Sequence, residues 1–323
     1  PRSTLFPYTT LFRSPASRWA PNADSAEWLS GFIPDLPTPF DLHDEIDADT
    51  FGRLCERQIA AGATALVVGE TAGESSTLEP AERAQLVSIA ARVARKRVRI
   101  IAGAGSNATD RAVTFTRAAQ AAGADAIMSV VPYYNKPMPH GMAAHFRAVA
   151  AATTLPIILH DVPSRTVKGL TDETLLELAA SPRFAGLRDG SADIARLARL
   201  RSRLPARFRM LTGDDISSLA WLAAGGDGCI STVANVAPDL YGAAYRHFRA
   251  GRLYQARELH QRLVPLATLL EREHPAALKF ALALLGFMQP ATRLPIVQLG
   301  AADKAEVAQA MAALADEYLA AAQ

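Results

Sequence analysis

The chain has 323 residues, of which 50% are apolar and 20% are charged, as in an ordinary globular protein. Its 34 basic and 32 acidic residues give a net charge of +2 and are spread along the chain, which argues against a nucleic-acid or anionic-membrane partner. No apolar run reaches the roughly 18 to 20 residues that a membrane helix needs, and no signal-peptide pattern opens the chain. We therefore expect a cytoplasmic protein whose partner is a small molecule.

The N-terminal residues look foreign to the fold. Residues 4–14 read TLFPYTTLFRS, which one reading frame of a widely used sequencing-adapter oligonucleotide encodes, and no Met opens the chain. We interpret residues 1–27 as a non-native or disordered segment and expect the natural chain to begin upstream of Trp19. An ordinary disordered tail is the alternative, because the stretch has no periodic apolar face to bury.

From Gly31 onward, eight short β-rich runs alternate with amphipathic stretches long enough for helices. The runs cover residues 31–40, 64–70, 98–105, 125–132, 155–163, 184–190, 208–215 and 228–235, and the helical stretches include 80–95, 108–122, 140–152, 172–180 and 191–203. Most runs are apolar on both faces, which is typical of strands covered by helices outside and by barrel packing inside. The alternation predicts an α/β fold, a (β/α)8 TIM barrel over residues 28–248.

Residues 249–323 predict a different arrangement, a C-terminal appendage of three helices. They contain no strand-like run and are broken near Pro275 and by the turn at 289–295. Cys55 and Cys229 lie far apart in apolar segments and lack the spacing of a zinc site. We therefore expect buried, reduced cysteines, no metal and no other cofactor.

Polar and reactive residues gather where the predicted strands end. They are Thr71 and Glu74, Tyr133 and Tyr134, His160 and Asp161, Arg188 and Asp189, Asp214 and Asp215, and Ser231. In a (β/α)8 barrel the carboxyl ends of all strands face one rim, where catalytic groups of such enzymes lie. The sequence therefore predicts that these distant positions converge on one pocket.

Several segments resemble the dihydrodipicolinate synthase / N-acetylneuraminate lyase family. They are TAGESSTL (71–78), AGAGSN (102–107), PYYNKP (132–137), HDVPSRT (160–166), TGDD (212–215), ISTVANVAP (230–238) and RLP (293–295). The resemblance implies a lyase or aldolase that condenses a lysine at the end of strand 6 with pyruvate or another 2-oxo acid. It further implies a proton relay through a tyrosine on strand 5, a threonine and a second tyrosine, and a homo-oligomer, either a dimer or a tetramer.

The sequence departs from this pattern at three positions in the expected pocket. Arg188 stands where the family keeps its lysine, His160 replaces the strand-5 tyrosine, and Ala72 replaces a second threonine. Thr71 and Tyr134 match the threonine and the second tyrosine of the relay. Because a guanidinium stays protonated, Arg188 can bind a carboxylate but cannot form the imine. We predict His160, Tyr134, Thr71 and Arg188 as the catalytic positions.

The resemblance also suggests residues that bind the substrate. Arg165 matches the residue that holds the carboxylate of the second substrate, and Ile230 matches a position that lines the bound 2-oxo acid. Ala72 keeps a backbone N–H that can hold a carboxylate. Alternatives remain: Arg188 pairs with Asp189 or another nearby carboxylate, Arg165 forms a loop salt bridge, or His160 is a hydrogen-bonded structural residue.

Three functional interpretations follow. The first is an enzyme of this family acting on 2-oxo or hydroxy acids without an imine, unless Lys168, on the predicted rim, replaces the missing amine. The second is a catalytically silent paralogue in which Arg188 and Arg165 bind a small carboxylate. The third is that Arg188 is a sequencing error, against which the changes at His160 and Ala72 weigh.

Overall fold

The structure of the protein, a computed structural model, describes residues 28–321, with side chains described through residue 314. The predicted N-terminal segment, residues 1–27, lies outside the described residues. Eight parallel strands form one sheet in the order β1-β8-β7-β6-β5-β4-β3-β2. They are β1 (Gly31–Pro34), β2 (Ala65–Val68), β3 (Arg99–Gly103), β4 (Ala126–Val130), β5 (Ile157–Asp161), β6 (Phe184–Asp189), β7 (Arg209–Thr212) and β8 (Gly228–Ser231).

The sheet closes on itself just past the end of β1. A parallel bridge joins Asp35 to Val67, and the backbone N–H of Leu36 donates to the carbonyl of Val67 at 3.0 Å. Each strand lies inside one of the eight runs that the sequence predicts as β structure. The (β/α)8 prediction is therefore confirmed, and its eight strand ends form one rim.

Helices connect the strands and continue beyond the barrel. They are α1 (Ala48–Ala60), α2 (Pro80–Ala94), α3 (Thr109–Ala121), α4 (Pro139–Ala151), α5 (Pro163–Thr166), α6 (Asp172–Ala179), α7 (Ile194–Arg201), α8 (Ser218–Ala223), α9 (Pro238–Arg249), α10 (Leu253–Arg272), α11 (Ala276–Leu284) and α12 (Ala301–Ala321). Local sequence signals explain where two of these helices begin. The helix α2 begins with a Glu79/Glu82 capping box and Pro80, and Asp193 caps the N-terminus of α7. No helix within 28–321 is long and apolar enough to cross a membrane.

The alternation of side chains along each strand produces two apolar cores. Inside the barrel, Ile33, Val67, Ile158 and Ile230 belong to one fully buried cluster. The opposite faces of the strands pack against the surrounding helices in a larger cluster. The inner cluster makes the barrel interior a packed core rather than a pore.

Candidate functional site at the carboxyl rim of the barrel

A cavity of about 310 Å³ opens at the carboxyl ends of the strands, a volume suited to a small ligand. Its lining residues follow β2, β5, β6, β7 and β8 or belong to the end of α10 and the residues after it. They are Thr71, His160, Val162, Ser164, Arg165, Arg188, Gly190, Gly213, Asp214, Asp215, Thr232, Ala267, Glu271 and His274. Of the eleven residues predicted to converge on one pocket, five line this cavity: Thr71, His160, Arg188, Asp214 and Asp215. The other six, Glu74, Tyr133, Tyr134, Asp161, Asp189 and Ser231, are not among its lining residues, and α10 forms part of its wall.

The two polar residues that end each of β5 and β6 point in opposite directions. His160 and Arg188 are register partners and line the cavity. Asp161 and Asp189 instead turn toward α7, where Arg196 Nη1 lies 2.8 Å and 3.0 Å from their Oδ2 atoms. Strand alternation explains the difference. Only one member of each pair is therefore available to a ligand.

Arg188 pairs with a carboxylate other than Asp189, that of Asp35 just after β1. Its Nη1 donates to Asp35 Oδ2 at 2.7 Å, and the two residues are only 5% and 0% exposed. Burial alone lowers the pKa of Arg188, but Asp35 and Glu70 raise it, and the net shift is upward. The guanidinium is therefore held in its charged form.

His160 pairs with a second overlooked carboxylate. Its Nδ1 lies 3.3 Å from Glu70 Oε1, and both side chains are buried. The backbone N–H and the hydroxyl of Thr71 donate to Glu70 Oε2 at 2.6 Å and 2.7 Å. Burial alone raises the pKa of Glu70, but His160 and Arg188 outweigh burial and lower it well below its usual range. Glu70 is therefore an ionised carboxylate beside the His160 ring, at an ion-pair distance and without the geometry of a hydrogen bond to Nδ1.

The seven predicted site residues separate into two groups. Thr71, His160, Arg165 and Arg188 line the cavity. The others do not belong to its lining: Ala72 and Ile230 are buried in the two apolar cores, and Tyr134 is 89% exposed on the loop after β4. The Thr71 hydroxyl donates to Glu70, so a relay through Tyr134 stays a prediction.

Arg165 is the cation best placed to meet an incoming anion. It lies on α5, lines the cavity and is exposed. Among the side chains that the structure describes, it makes no salt bridge, whereas Arg188 and Arg196 both do. Lys168, the proposed substitute amine, is half-buried two residues beyond α5 and does not line the cavity.

Asp35 and Glu70 were missed because both sit inside strand-like runs. Glu70 closes the run TALVVGE, and Asp35 interrupts GFIPDLPTPF. An acidic residue in an apolar strand run is itself a signal, since a buried carboxylate needs a partner. In residues 28–314 no group of three His, Cys, Asp or Glu side chains is arranged to hold a metal ion.

His274 gives the cavity wall a pH-dependent component. It is packed after α10 with Nε2 3.4 Å from the Thr232 hydroxyl, and burial, with Arg165 and Arg188, lowers its pKa from 6.5 to about 3. Between these values the unfolded chain binds the proton and the folded chain does not, so the free energy of unfolding falls as pH drops from about 6.5 toward 3.

We expect His274→Gln to flatten this acid dependence. In the wild-type protein His274 should lower the free energy of unfolding by up to about 1.4 kcal/mol for each pH unit below 6.5. Denaturant unfolding at pH 4.5 and 7 measures this loss. Buried His145, whose pKa burial lowers to about 4, adds a similar contribution that the variant retains. Exposed His140→Gln is the control. An unchanged difference between the two pH values in His274→Gln would contradict the prediction.

Comparison with known proteins agrees with the motif resemblance. The dihydrodipicolinate synthetase family matches residues 28–314. A 4-hydroxy-tetrahydrodipicolinate synthase of Hyphomonas neptunium is 44% identical over 285 residues, covering 87% of this chain and 97% of that protein. One of Acidiphilium cryptum is 42% identical, covering 88% and 98%. The crystal structure of the chloride-inhibited dihydrodipicolinate synthase from Acinetobacter baumannii, complexed with pyruvate, superposes with a TM-score of 0.86 at 34% identity, covering 88% and 99%.

Proposed function

Because the chain belongs to the dihydrodipicolinate synthetase family, we propose that its rim cavity binds a small 2-oxo acid of the pyruvate type and acts on it as a lyase or aldolase without a lysine imine. The observation that carries the proposal is the Arg188–Asp35 pair, which occupies the end of β6 with a permanently charged group. A solved relative in complex with pyruvate supports the ligand class.

The absence of an imine follows from the chemistry of the available groups. Imine formation needs a neutral amine, and a guanidinium is neither neutral nor a good nucleophile. No lysine lines the cavity in the part of the chain that the structure describes. Buried Lys279, whose pKa burial lowers to about 8, is paired with Glu74 away from the lining residues.

The binding of an anion is supported by charge and exposure. Arg165 lines the cavity without a salt-bridge partner among the described side chains, so its fork of N–H donors is available to a carboxylate. The guanidinium of Arg188 has one nitrogen engaged by Asp35 and also lines the cavity. His160 lies next to Arg188 in the strand register and supplies an imidazole, a group able to act as a general acid or base.

Borohydride trapping with pyruvate, followed by peptide mass spectrometry, tests the proposal. We expect no adduct on the wild-type protein. The single variant Arg188→Lys should trap little pyruvate, because buried Asp35 would hold the introduced amine in its ammonium form. The double variant Asp35→Asn/Arg188→Lys should trap at least about tenfold more pyruvate on residue 188 than the single variant does. Destabilising the ammonium form by about 1.4 kcal/mol is enough for a tenfold effect.

Arg199→Lys, at an exposed site on α7, is the matched control for non-specific trapping. An adduct on a lysine of the wild-type protein would overturn the non-imine mechanism. Failure of the double variant to trap pyruvate would count against the 2-oxo acid as ligand. The same peptide maps read residue 188 directly and so decide whether Arg188 is a sequencing error.

A catalytically silent paralogue remains the second candidate. The observation that favours it is that both buried charges at the ends of β1 and β6 are already neutralised by one another. In that case Arg165 and Arg188 hold a small carboxylate without turnover. If the protein binds pyruvate but neither exchanges its methyl protons nor cleaves its bonds, the silent paralogue is favoured over the enzyme.

We also propose that the protein is a homo-oligomer, a dimer or tetramer, as the family resemblance suggests. The exposed apolar side chains of Tyr133, Tyr134 and Met138 after β4 support an interface there. The cytoplasmic location stays a prediction from the sequence.

A further inference from the structure

We propose that Glu70 is a positioning residue that holds His160 with its proton on Nδ1, leaving Nε2 as the base that enolises a bound 2-oxo acid without a covalent intermediate. This inference rests on the proposed 2-oxo acid ligand for its chemical step, but the arrangement of Glu70 and His160 can be tested without any ligand.

The two oxygens of the Glu70 carboxylate face different groups. Oε2 accepts from the backbone N–H and hydroxyl of Thr71, and Oε1 faces His160 Nδ1 at 3.3 Å. Thr71 follows Glu70 directly, so the backbone itself fixes the carboxylate. Glu70 therefore has a defined orientation in a buried site.

The protonation state of Glu70 determines the tautomer of His160. An ionised carboxylate has no proton to donate and accepts only. A proton on the Nδ1 atom that faces it at 3.3 Å is attracted to this carboxylate, whereas a lone pair there would be repelled, and a proton on Nδ1 leaves the lone pair on Nε2 in the neutral ring. Since His160 lines the cavity and turns Nδ1 toward Glu70, Nε2 is the ring nitrogen that remains for a ligand.

Glu70 is the group next to His160 that can interact favourably with a protonated ring. Besides Glu70, the charged or titratable groups that act on this pair are Asp35 after β1, Arg83 of α2, Arg165 of α5, Arg188 of β6 and His274 after α10. Asp35 and Arg188 neutralise one another at 2.7 Å. Glu70 is thus the carboxylate left to stabilise the imidazolium, the role that a buried acid has in a catalytic triad.

The proposed step transfers one proton and no other atom. The C3–H bond of the 2-oxo acid breaks, and its electron pair forms the C2–C3 double bond of an enolate. The carbonyl electron pair moves to the C2 oxygen, and the proton goes to His160 Nε2. Arg188, adjacent to His160 in register, engages Asp35 through Nη1 and keeps other guanidinium N–H groups that can donate to the developing oxyanion. Return of the proton regenerates the acid and the neutral imidazole.

The first experiment measures the tautomer of His160 in the full chain by nitrogen-15 NMR of histidine-labelled protein. The chain has seven histidines, so His160→Gln identifies the signal. We expect a proton on Nδ1 and none on Nε2 in the neutral ring. In Glu70→Gln the side-chain amide can donate to Nδ1, and the tautomer should reverse. The opposite tautomer in wild type overturns the role of Glu70.

The second experiment follows exchange of the pyruvate methyl protons in D₂O by proton NMR. We expect exchange above the buffer background in wild type and a decrease of about 100-fold or more in His160→Gln and Glu70→Gln, because the base or its tautomer is lost. Glu70→Asp, which keeps a carboxylate, should retain part of the rate. Glu56→Gln, an exposed carboxylate paired with Arg97, is the control.

Pyruvate binding is measured in parallel by line broadening of its methyl signal. A merely structural Glu70 would change binding and exchange together, whereas a positioning role lowers exchange while binding changes less than about threefold, as expected when only transition-state interactions are lost. Binding without exchange in wild type overturns the enolisation step but not the 2-oxo acid proposal. Absence of binding overturns the 2-oxo acid proposal, while the tautomer result still decides the role of Glu70.

Discussion

Arg188→Met is expected to lower the free energy of unfolding by about 3–5 kcal/mol, the cost of breaking a buried ion pair by removing one partner. Methionine retains much of the aliphatic volume, so the loss reports the charge. Asp35 is 0% exposed and would keep a carboxylate without its 2.7 Å partner. Urea unfolding followed by circular dichroism gives the free energy directly.

A double-mutant cycle separates the energetic effect of breaking the Arg188–Asp35 pair from general destabilisation of the barrel. Asp35→Asn/Arg188→Met removes both charges, and we expect it to be more stable than Arg188→Met, since no uncompensated charge remains. Arg199→Met is the control, because Arg199 is 56% exposed in its salt bridges to Asp172 and Asp193, and such pairs contribute at most about 1 kcal/mol. A change of less than about 1 kcal/mol in Arg188→Met, the size of a surface effect, would show that the pair is not required for the fold.

Lys279→Met is expected to produce a second loss of about 3–5 kcal/mol, for a related reason. Lys279 is fully buried in α11, where its ammonium pairs with Glu74, donates to the Ala291 carbonyl at 2.7 Å and lies 4.1 Å from the centre of the Phe40 ring. It thereby ties the loop after β2 to the C-terminal helices. Removal of the ammonium leaves a buried carboxylate uncompensated.

Thermal and urea unfolding of Glu74→Gln, Lys279→Met and the double variant measure this coupling. We expect the double variant to be less destabilised than the sum of the single variants. Lys96→Met is the matched control, because Lys96 is 77% exposed in its salt bridge with Asp125. Additive losses in the cycle would mean that Glu74 and Lys279 stabilise the protein independently.

Much of the architecture could be predicted from local patterns. The run TALVVGE contains β2 and LPIILHDVP contains β5, because strands buried on both faces are short, apolar and β-branched. The amphipathic stretch at 80–95 becomes α2, whose Pro80 and Glu82 are recognisable start signals. These features depend on residues close together in the chain.

The site was predicted less completely. His160, Arg165, Arg188 and Thr71 were named from strand ends and motifs, and all four line the cavity. The same argument grouped Asp161 and Asp189 with the rim residues, but both turn toward Arg196 on α7. Which of two adjacent side chains points to the cavity depends on the register of the strand, and a strand-end motif does not specify that register.

The sequence by itself determined that this chain forms a (β/α)8 barrel with reactive residues on one rim, and that position 188 carries a guanidinium that cannot form an imine. Only the tertiary structure decided the partners, Asp35 for Arg188 and Glu70 for His160. Asp35 lies 153 residues before Arg188, and barrel closure brings β1 and β6 to the same rim. A periodic pattern reports which face a residue occupies, whereas a charge pair depends on how the strands close in space.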